Sequence, residues 1–541
     1  MKALYSVHVN VTGTQSAARD RHARHAVCIA AAGLAVRIAI ALQPVAWLTG
    51  HSLPDDAFYY FTIARNVAAG HGTTFDGLSL TNGFHPLWLA LITPLFALVP
   101  DRDSAVHAAL LLCALLDTAT ILLLGRYCRR LGAHAPAALI VMAMYAVSPA
   151  LFEYGGPMNG METALNVFVT LLFLYVATGI ARDGIPNRRT ALALGLLAGA
   201  LLLARTDNAI LLLMVAPVTL RQAWKVGRGV SPRRIAVAAI AALVMTLPWF
   251  LWCQIRFGSP VQISGMSMAV VARDYVHLQQ WSGLDLVVQF MKNLADLLRY
   301  APAAFLFSAK DSPGFVVNLA LAVGAAVLVY RERRRNAGRV PAPPVEAAAV
   351  AFFAIQTART IFMRSWYYYA FVPHLLARFA QAVNSVWQRN RSGVRARLVR
   401  GTVLAAVAGL GVAGYITVSG HSGSDANKYR AAQELNRIVP EGSIVGAWNA
   451  GIVGYYFEHG TVVNLDGVVN NPAAGAIREH RLALYARAAG ITWLADEART
   501  LNVFTPYWND GRASILQSLD VQRIVPFTSG ADTIMIGRIR W

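Results

Sequence analysis

The sequence predicts an α-helical polytopic membrane protein with a small α/β domain at its C-terminal end. Three observations carry this. Apolar segments recur from residue 26 to residue 419 in a chain that is 56% hydrophobic and 14% charged, the pattern of repeated crossings of a ~30 Å hydrocarbon layer. Basic residues gather in the loops between those segments: the net charge is +20, yet residues 420–541 hold 11 Lys and Arg against 11 Asp and Glu. An excess confined to the first 419 residues is a topology signal and argues against a polyanion-binding patch. Third, residues 420–541 alternate helical patterns such as "DANKYRAAQELNRIV" with short β-rich runs, "GSIVGAW", "TVVNL", "ITWLA" and "TIMIGRI", which reads as a small α/β unit. The four cysteines, Cys28, Cys113, Cys128 and Cys253, lie in or beside apolar runs, so no disulfide framework is implied.

Residues 1–25 form a basic N-terminal segment, and the apolar run at 26–48 is longer than a signal-peptide core. It reads as a retained first helix with the N-terminus in the cytosol. Arg37 lies midway along it, too deep to snorkel, and so faces the bundle interior with a partner. Further apolar segments fall at about 84–100, 104–124, 135–152, 163–181, 190–204, 209–220, 235–252, 314–330, 344–361, 366–386 and 401–419. Counting every one as a crossing would put "RYCRR", "RDGIPNRR", "RQAWKVGRGVSPRR", "RERRRNAGR" and "WQRNRSGVRARLVR", with 21 Lys and Arg in all, outside the cell. Positive-inside forbids that inversion. The segment that does not cross is 84–100, which is short and contains Pro86 and Pro94.

Eleven crossings remain, with a membrane module at 26–419 and the α/β domain, 420–541, outside. The localisation expected is the inner cell membrane. Two large outer loops follow, 49–103 and 253–313, the second containing the amphipathic stretch "WSGLDLVVQFMKNLADLLRY". Together with the outer domain they make a chamber at the outer membrane face.

The ordered motifs are "DDAFYYFTIARN" and "TNGFHPLW" in the first outer loop, "NGMETAL" after the third span, "RTD" at the top of the fifth, "FGSPVQIS" after the seventh, "WYYYAFVP" near the end and "NLDGVVN" in the last domain. This set resembles the C-type (GT-C) integral-membrane glycosyltransferases. It is most similar to the bacterial polyprenyl-phosphate-sugar enzymes akin to protein O-mannosyltransferases, lipid A aminoarabinose transferases and mycobacterial arabinofuranosyltransferases. The resemblance covers most of the chain. It implies an inverting, metal-independent sugar transfer, without a cofactor, from a polyprenyl-phosphate donor to a glycan, glycolipid or protein acceptor at the extracytoplasmic face. One departure concerns the donor phosphate: relatives often carry a lysine soon after the "FGSP" segment, where this chain has Met266, Ser267 and Met268.

Such a transfer needs a base for the acceptor hydroxyl and cations or donors for the departing phosphate. Asp55 and Asp56 are the candidate acids. By resemblance Asp55 takes the base role and Asp56 is the alternate; the plainer reading is a helix N-cap with solvated acids. Tyr59 follows at helical spacing. For substrate binding the candidates are Tyr59, Arg65, Asn82, His85, Glu162, Arg205, Asp207, Arg364 and Tyr368. His85 sits where relatives carry a His-Pro or Lys-Pro element near the donor, and a guanidinium suits a phosphate. The arginines alternatively snorkel or pair with Asp207 and Glu162. Tyr367, Tyr368 and Tyr369 cannot all face one way on a helix. In the last domain, Trp448, Asn449, Tyr455, Asp466 and Asn470 are candidates for a carbohydrate surface or, equally, for core closure and docking.

The competing class is a transporter or flippase of an envelope glycolipid. Against it, the sequence shows no inverted repeat and no Walker motif, and its polar residues gather at outer helix ends instead of mid-membrane.

Overall fold

The computed structural model describes residues 2–148, 151, 153–225, 230–278, 280–299, 344–360, 363–367, 369–389, 423, 425–508, 514–528 and 532–541, with single positions at 327, 401, 405, 408–409 and 412. The expected spans at 314–330 and 401–419 fall almost wholly outside these residues.

The chain opens on α1 (Lys2–Ala41), 40 residues long, which at 1.5 Å per residue is about 60 Å. Its second half is the first apolar span, and it stops at Ala41, earlier than the expected 48. Pro44 is the reason: it has no N–H to continue the ladder and instead precedes a separate helix, α2 (Val45–His51). Arg37 finds the partner its depth demands. Its Nε donates to Asp117 Oδ2 at 2.7 Å and its Nη1 to the Gly33 and Ala146 carbonyls, while the Tyr145 hydroxyl donates to Asp117 Oδ1 at 2.6 Å. Both charges are fully buried.

After α3 (Asp55–Ala68) comes α4 (Pro86–Leu98), which buries Trp88, Leu89, Ile92 and Phe96. At 13 residues it is about 20 Å long, short of the hydrocarbon thickness. The bundle continues through α5 (Arg102–Arg130), α6 (Ala135–Ala146), α7 (Thr163–Asp183), α8 (Arg188–Ala204), α9 (Ala209–Lys225) and α10 (Pro232–Phe257). Four helical stretches among the described residues are long and apolar enough to cross a membrane: Asp20–Ala41, Arg102–Arg130, Thr163–Asp183 and Pro232–Phe257.

Two helices follow in the second long loop, α11 (Ile263–Leu278) and α12 (Gly283–Arg299). The latter leaves Leu284, Val287, Val288 and Met291 exposed, the apolar face of an amphipathic helix. Next is α13 (Val345–Thr360). The segment expected as one helix at 366–386 instead starts with two short 3₁₀ turns, Ser365–Tyr367 and Tyr369–Phe371, before α14 (Val372–Arg389).

The C-terminal unit has α15 (Asp425–Ile438), β1 (Ser443–Ala447), α16 (Gly451–Tyr456), β2 (Gly460–Asn464), α17 (Asn471–Arg478), α18 (Leu482–Ala488), β3 (Trp493–Glu497), α19 (Ala498–Trp508), β4 (Leu519–Pro526) and β5 (Thr533–Ile539). The sheet order is β2-β1-β3-β5-β4. Strands β2, β1 and β3 run parallel, joined by helical crossovers, and β5 and β4 close the sheet antiparallel. Four of the strands lie on the β-rich runs quoted above; β4 does not. It is an edge strand with four successive solvent-touching residues and a register shift between Val521 and Arg523, so its alternation is lost.

This unit is seated directly on α3. Phe58 packs on Tyr455 and Tyr456, with ring centroids 5.5 and 5.8 Å away. Tyr455 Oη donates to the Arg102 carbonyl and Tyr456 Oη to Asp103, at 2.8 and 2.7 Å. One buried hydrophobic cluster runs unbroken from the helical bundle into the sheet.

Candidate active site

Helix α3 sorts its polar residues into two stripes, because positions four apart share a face and neighbours differ by about 100°. Asp55 and Tyr59 form one, Asp56 and Tyr60 the other.

The first stripe holds the C-terminal unit. Asp55 is the first residue of its helix and does not cap it, contrary to the N-cap reading; Pro54 occupies that position. Its carboxylate accepts the backbone N–H groups of Gly451 and Ile452, at 3.1 and 2.8 Å, at the start of α16. Its own N–H donates to Asp425, which pairs with Lys428 at 2.8 Å. Gly451 permits this contact: a Cβ there would stand 2.0 Å from the Asp55 carbonyl oxygen. Burial pushes the Asp55 carboxyl up to about 7, against the opposing charge of Lys428. Tyr59 Oη donates to the Trp448 carbonyl and receives the Ala450 N–H. Arg65 belongs with them, bonding the Tyr455 carbonyl at 3.3 Å and lying over its ring.

The second stripe faces the other way. Asp56 is exposed, the one acid of the pair that is, although Asp55 beside it is 4% exposed. Burial on its walled sides nonetheless raises its carboxyl, with the Arg364 charge acting in the opposite sense. Tyr60 Oη donates to Glu162 at 2.8 Å. Arg205 bridges Glu162 and Asp207, engaging Asp207 through both Nε and Nη2 at 3.0 and 2.7 Å. Burial would lower the Arg205 guanidinium, but the two carboxylates outweigh it and raise it; burial likewise lifts Asp207, and Arg205 outweighs that and holds it below the usual range. Gln356 adds a donor to Asp207 at 2.8 Å, and the Tyr367 ring covers Arg205 at 4.9 Å.

His85 lies at the edge of this cluster, its Nε2 3.6 Å from Glu162 and its Nδ1 3.2 Å from the Gln262 amide. Burial lowers its pKa against the Glu162 charge, which makes it a neutral ring at neutral pH. Asn82 joins three segments, donating to the Val261 carbonyl and accepting from Ile263 N–H and the Asn471 amide. Arg364 is exposed, its guanidinium 5.9 Å from the Trp366 ring. Tyr368 lies outside the described residues.

The structure thus brings Glu162, Arg205, Asp207 and His85 together and leaves Asp56 and Arg364 open, whereas Asp55, Tyr59 and Arg65 are occupied in docking. Sequence reasoning missed Tyr60, Gln262 and Gln356. The spacing of Tyr60 from Asp56 was the available signal for the first; the two glutamines had none. Trp448, Tyr455 and Asn470 are buried, with Asn470 capping α17, so these three serve the core and the docking and offer no carbohydrate surface.

No family model and no curated protein matches the chain. Among solved structures it is similar to the oligosaccharyltransferase AglB from Archaeoglobus fulgidus, in complex with an inhibitory peptide and a dolichol-phosphate, at 14% identity and a TM-score of 0.58, over 96% of this chain and 74% of that one. It is also similar to ArnT from Cupriavidus metallidurans, bound to undecaprenyl phosphate, at 14% identity and a TM-score of 0.52, over 93% of this chain and 97% of that one. The apo state of ArnT superposes with a TM-score of 0.54. The chain has the GT-C fold.

Proposed function

We propose that the protein transfers a sugar from a polyprenyl phosphate to an acceptor hydroxyl at the extracytoplasmic face, with Asp56 as the base. The observation that carries this is the split of the acidic pair: Asp55 is engaged by two backbone N–H groups, while Asp56 is exposed and feels the charge of the exposed Arg364. The acceptor O–H gives its proton to Asp56 as its oxygen attacks the anomeric carbon from the face opposite the phosphate. The bond to the phosphate breaks with its electron pair leaving on the polyprenyl phosphate, and the configuration inverts. Arg364 is the cation placed to meet that charge, with His85 as a neutral donor. Arg205 positions Glu162 and through it Tyr60, keeping the Asp56 face of α3 in register.

Eleven crossings with the N-terminus in the cytosol and the C-terminal unit outside complete the proposal. A site on that side favours a lipid-linked donor, since nucleotide sugars are made in the cytosol. The sequences of the basic loops support the orientation.

The test is a pair of variants in a strain lacking the gene, read by mass spectrometry of envelope glycans and of polyprenyl-phosphate sugars. Asp56→Asn should lose about 10²–10⁴-fold in transfer and let the sugar-loaded lipid accumulate. Normal transfer in that variant overturns the assignment of the base; no change in either lipid or glycan on deleting the gene overturns the reaction. A requirement for added divalent cation would correct the expectation of metal independence.

A further inference from the structure

Helices α11, α12 and α13 enclose a cavity of about 390 Å³, within the ~300–1,000 Å³ range of small-ligand sites. Its charged lining is of one sign. Arg273 and His277 come from α11 and Arg359 from α13, and no carboxylate stands among the described lining residues. The rest is largely apolar, with Leu286 and Phe290 on α12 facing Ala354 and Ala358 on α13. Phe290 meets Phe353 edge to face with ring centroids 5.5 Å apart, which seats α12 on α13. The Arg359 guanidinium lies over α11, since a Cβ on Gly265 would stand 3.4 Å from its Nη1. Arg359 has no ion pair among the described residues; Arg273 has only a 3.7 Å contact with its neighbour Asp274, an acid that also accepts the Tyr507 hydroxyl.

The cavity is distinct from the cluster near Asp56. None of His85, Glu162, Arg205, Asp207 and Arg364 lines it. On α13 the Gln356 amide turns to Asp207, whereas Ala354 and Ala358, two positions to either side, line the cavity. At 100° per residue they stand about 160° from Gln356, on the opposite side of the helix. Beyond the cavity the surface is apolar, for Val287 and Met291 on α12 and Val350 and Ile355 on α13 are exposed.

We propose that this cavity binds the headgroup of an anionic bilayer phospholipid, its phosphate held by Arg273 and Arg359 and its acyl chains laid along the exposed apolar faces of α12 and α13. The proposal rests on the membrane reading in which α11, α12 and the end of α13 lie at the outer surface. A free phosphate ester would use the arginines and leave Leu286 and Phe290 idle; an uncharged amphiphile would do the reverse. A lipid phosphate uses both. Guanidinium suits phosphate geometry, and basic pockets beside spanning helices take anionic headgroups. A donor phosphate on this side of α13 would hold its sugar away from the Glu162, Arg205 and Asp207 cluster. Occupancy has a structural consequence, because α11 also carries the C-terminal unit through Ser267 on the Asp466 carbonyl and Asp274 on Tyr507. A lipid that ties α11 to α13 steadies that seat.

The experiment titrates the full-length protein, in neutral detergent, with dioctanoyl phosphatidylglycerol and follows Tm, which rises as a ligand occupies the folded state. Phosphatidylglycerol should raise Tm saturably and phosphatidylcholine of the same chains should not. Glycerol phosphate, which lacks the chains, should bind at least about tenfold more weakly. Arg273→Ala and Arg359→Ala, both at exposed side chains, should each weaken phosphatidylglycerol about tenfold or more, the loss of a charge-assisted contact. Ala354→Trp keeps both arginines but fills the cavity, and should weaken it as much while leaving polyprenyl phosphate binding as in wild type. Equal binding of the two lipids, glycerol phosphate as tight as phosphatidylglycerol, or wild-type affinity in these variants overturns the inference. Loss of polyprenyl phosphate binding in Ala354→Trp would give the cavity to the donor and overturns it too. The titration needs no turnover, so the two readings fail separately: transfer retained in Asp56→Asn removes the base assigned above and leaves the lipid site untouched.

Discussion

Substituting Gly451 by alanine should loosen the C-terminal unit from the acidic motif. An ideal Cβ at this position lies 2.0 Å from the Asp55 carbonyl oxygen and 3.1 Å from its carboxyl carbon. Ordinary carbon to oxygen contact begins at about 3.3 Å, so the two backbones must part by about 1.3 Å. No rotamer relieves the clash, since the closer atom is main chain. That displacement stretches the two hydrogen bonds from the Gly451 and Ile452 N–H groups, now 3.1 and 2.8 Å long, past useful length. At about 1–3 kcal/mol each, the docked state loses about 2–6 kcal/mol, which is about 30-fold to 10⁴-fold in the opening equilibrium. Amide hydrogen exchange reads this directly, because the Ile452 N–H is protected by Asp55 and exchanges only when the contact opens. Peptides covering 449–458 should exchange faster by that factor in the variant, with peptides of β1 and β3 unchanged. Equal protection of 449–458 in wild type and Gly451→Ala would refute the geometry from which the magnitude is worked.

Three other outcomes follow from the same geometry. Asp117→Asn or Arg37→Met should each destabilise the bundle by about 3–5 kcal/mol, because either leaves a buried charge uncompensated, and the double variant Arg37→Met, Asp117→Leu should regain most of it; thermal unfolding in detergent decides, and neutral single variants would sink the claim. The raised Asp55 carboxyl, at about 7 against 3.8, means the docked form holds that proton more tightly than the undocked one. Its contribution to docking is therefore full below pH 3.8 and is lost as the pH climbs through about 7; protection of Ile452, corrected for intrinsic exchange, should fall over that window in wild type and not in Asp55→Asn. For topology, a membrane-impermeant thiol reagent should label Ser104→Cys and miss Arg129→Cys at the two ends of α5 in intact cells, against the wild-type background, and labelling of both from one side would end the proposed orientation.

Much of the helical frame was readable because its signals are local. Pro86 and Pro94 marked α4 as a short helix, the spacing of Leu284, Val287 and Phe290 marked α12 as amphipathic, and "RTD" was read with Arg205 pairing Asp207. What depends on contacts far apart in the chain was not readable. Arg37 needed a buried acid, but nothing local distinguishes Asp117, 80 residues on, from any other. The adjacent acids Asp55 and Asp56 look equivalent in sequence, and which of them is engaged and which exposed depends on the side of α3 that the C-terminal unit covers. Trp448, Tyr455 and Asn470 have the composition of a sugar-binding surface and of a packed seam alike, and burial separates the two.

Part of the seam between the C-terminal unit and the bundle is made by the unit's main-chain atoms: the N–H groups of Gly451 and Ile452, the carbonyls of Trp448 and Tyr455, and the close pass of Val468 over Gly83. Main-chain groups are the same whatever side chains surround them. A C-terminal unit transplanted from a protein of the same fold therefore finds these contacts ready if position 451 is small and the 448–456 backbone keeps its path, and it then has only the side-chain contacts of Asp425, Tyr455, Tyr456, Asn464 and Asn471 left to match. The unit is exchangeable in principle, and chimaeras that swap it while keeping Asp55 in place measure how far these main-chain contacts alone hold it to the bundle.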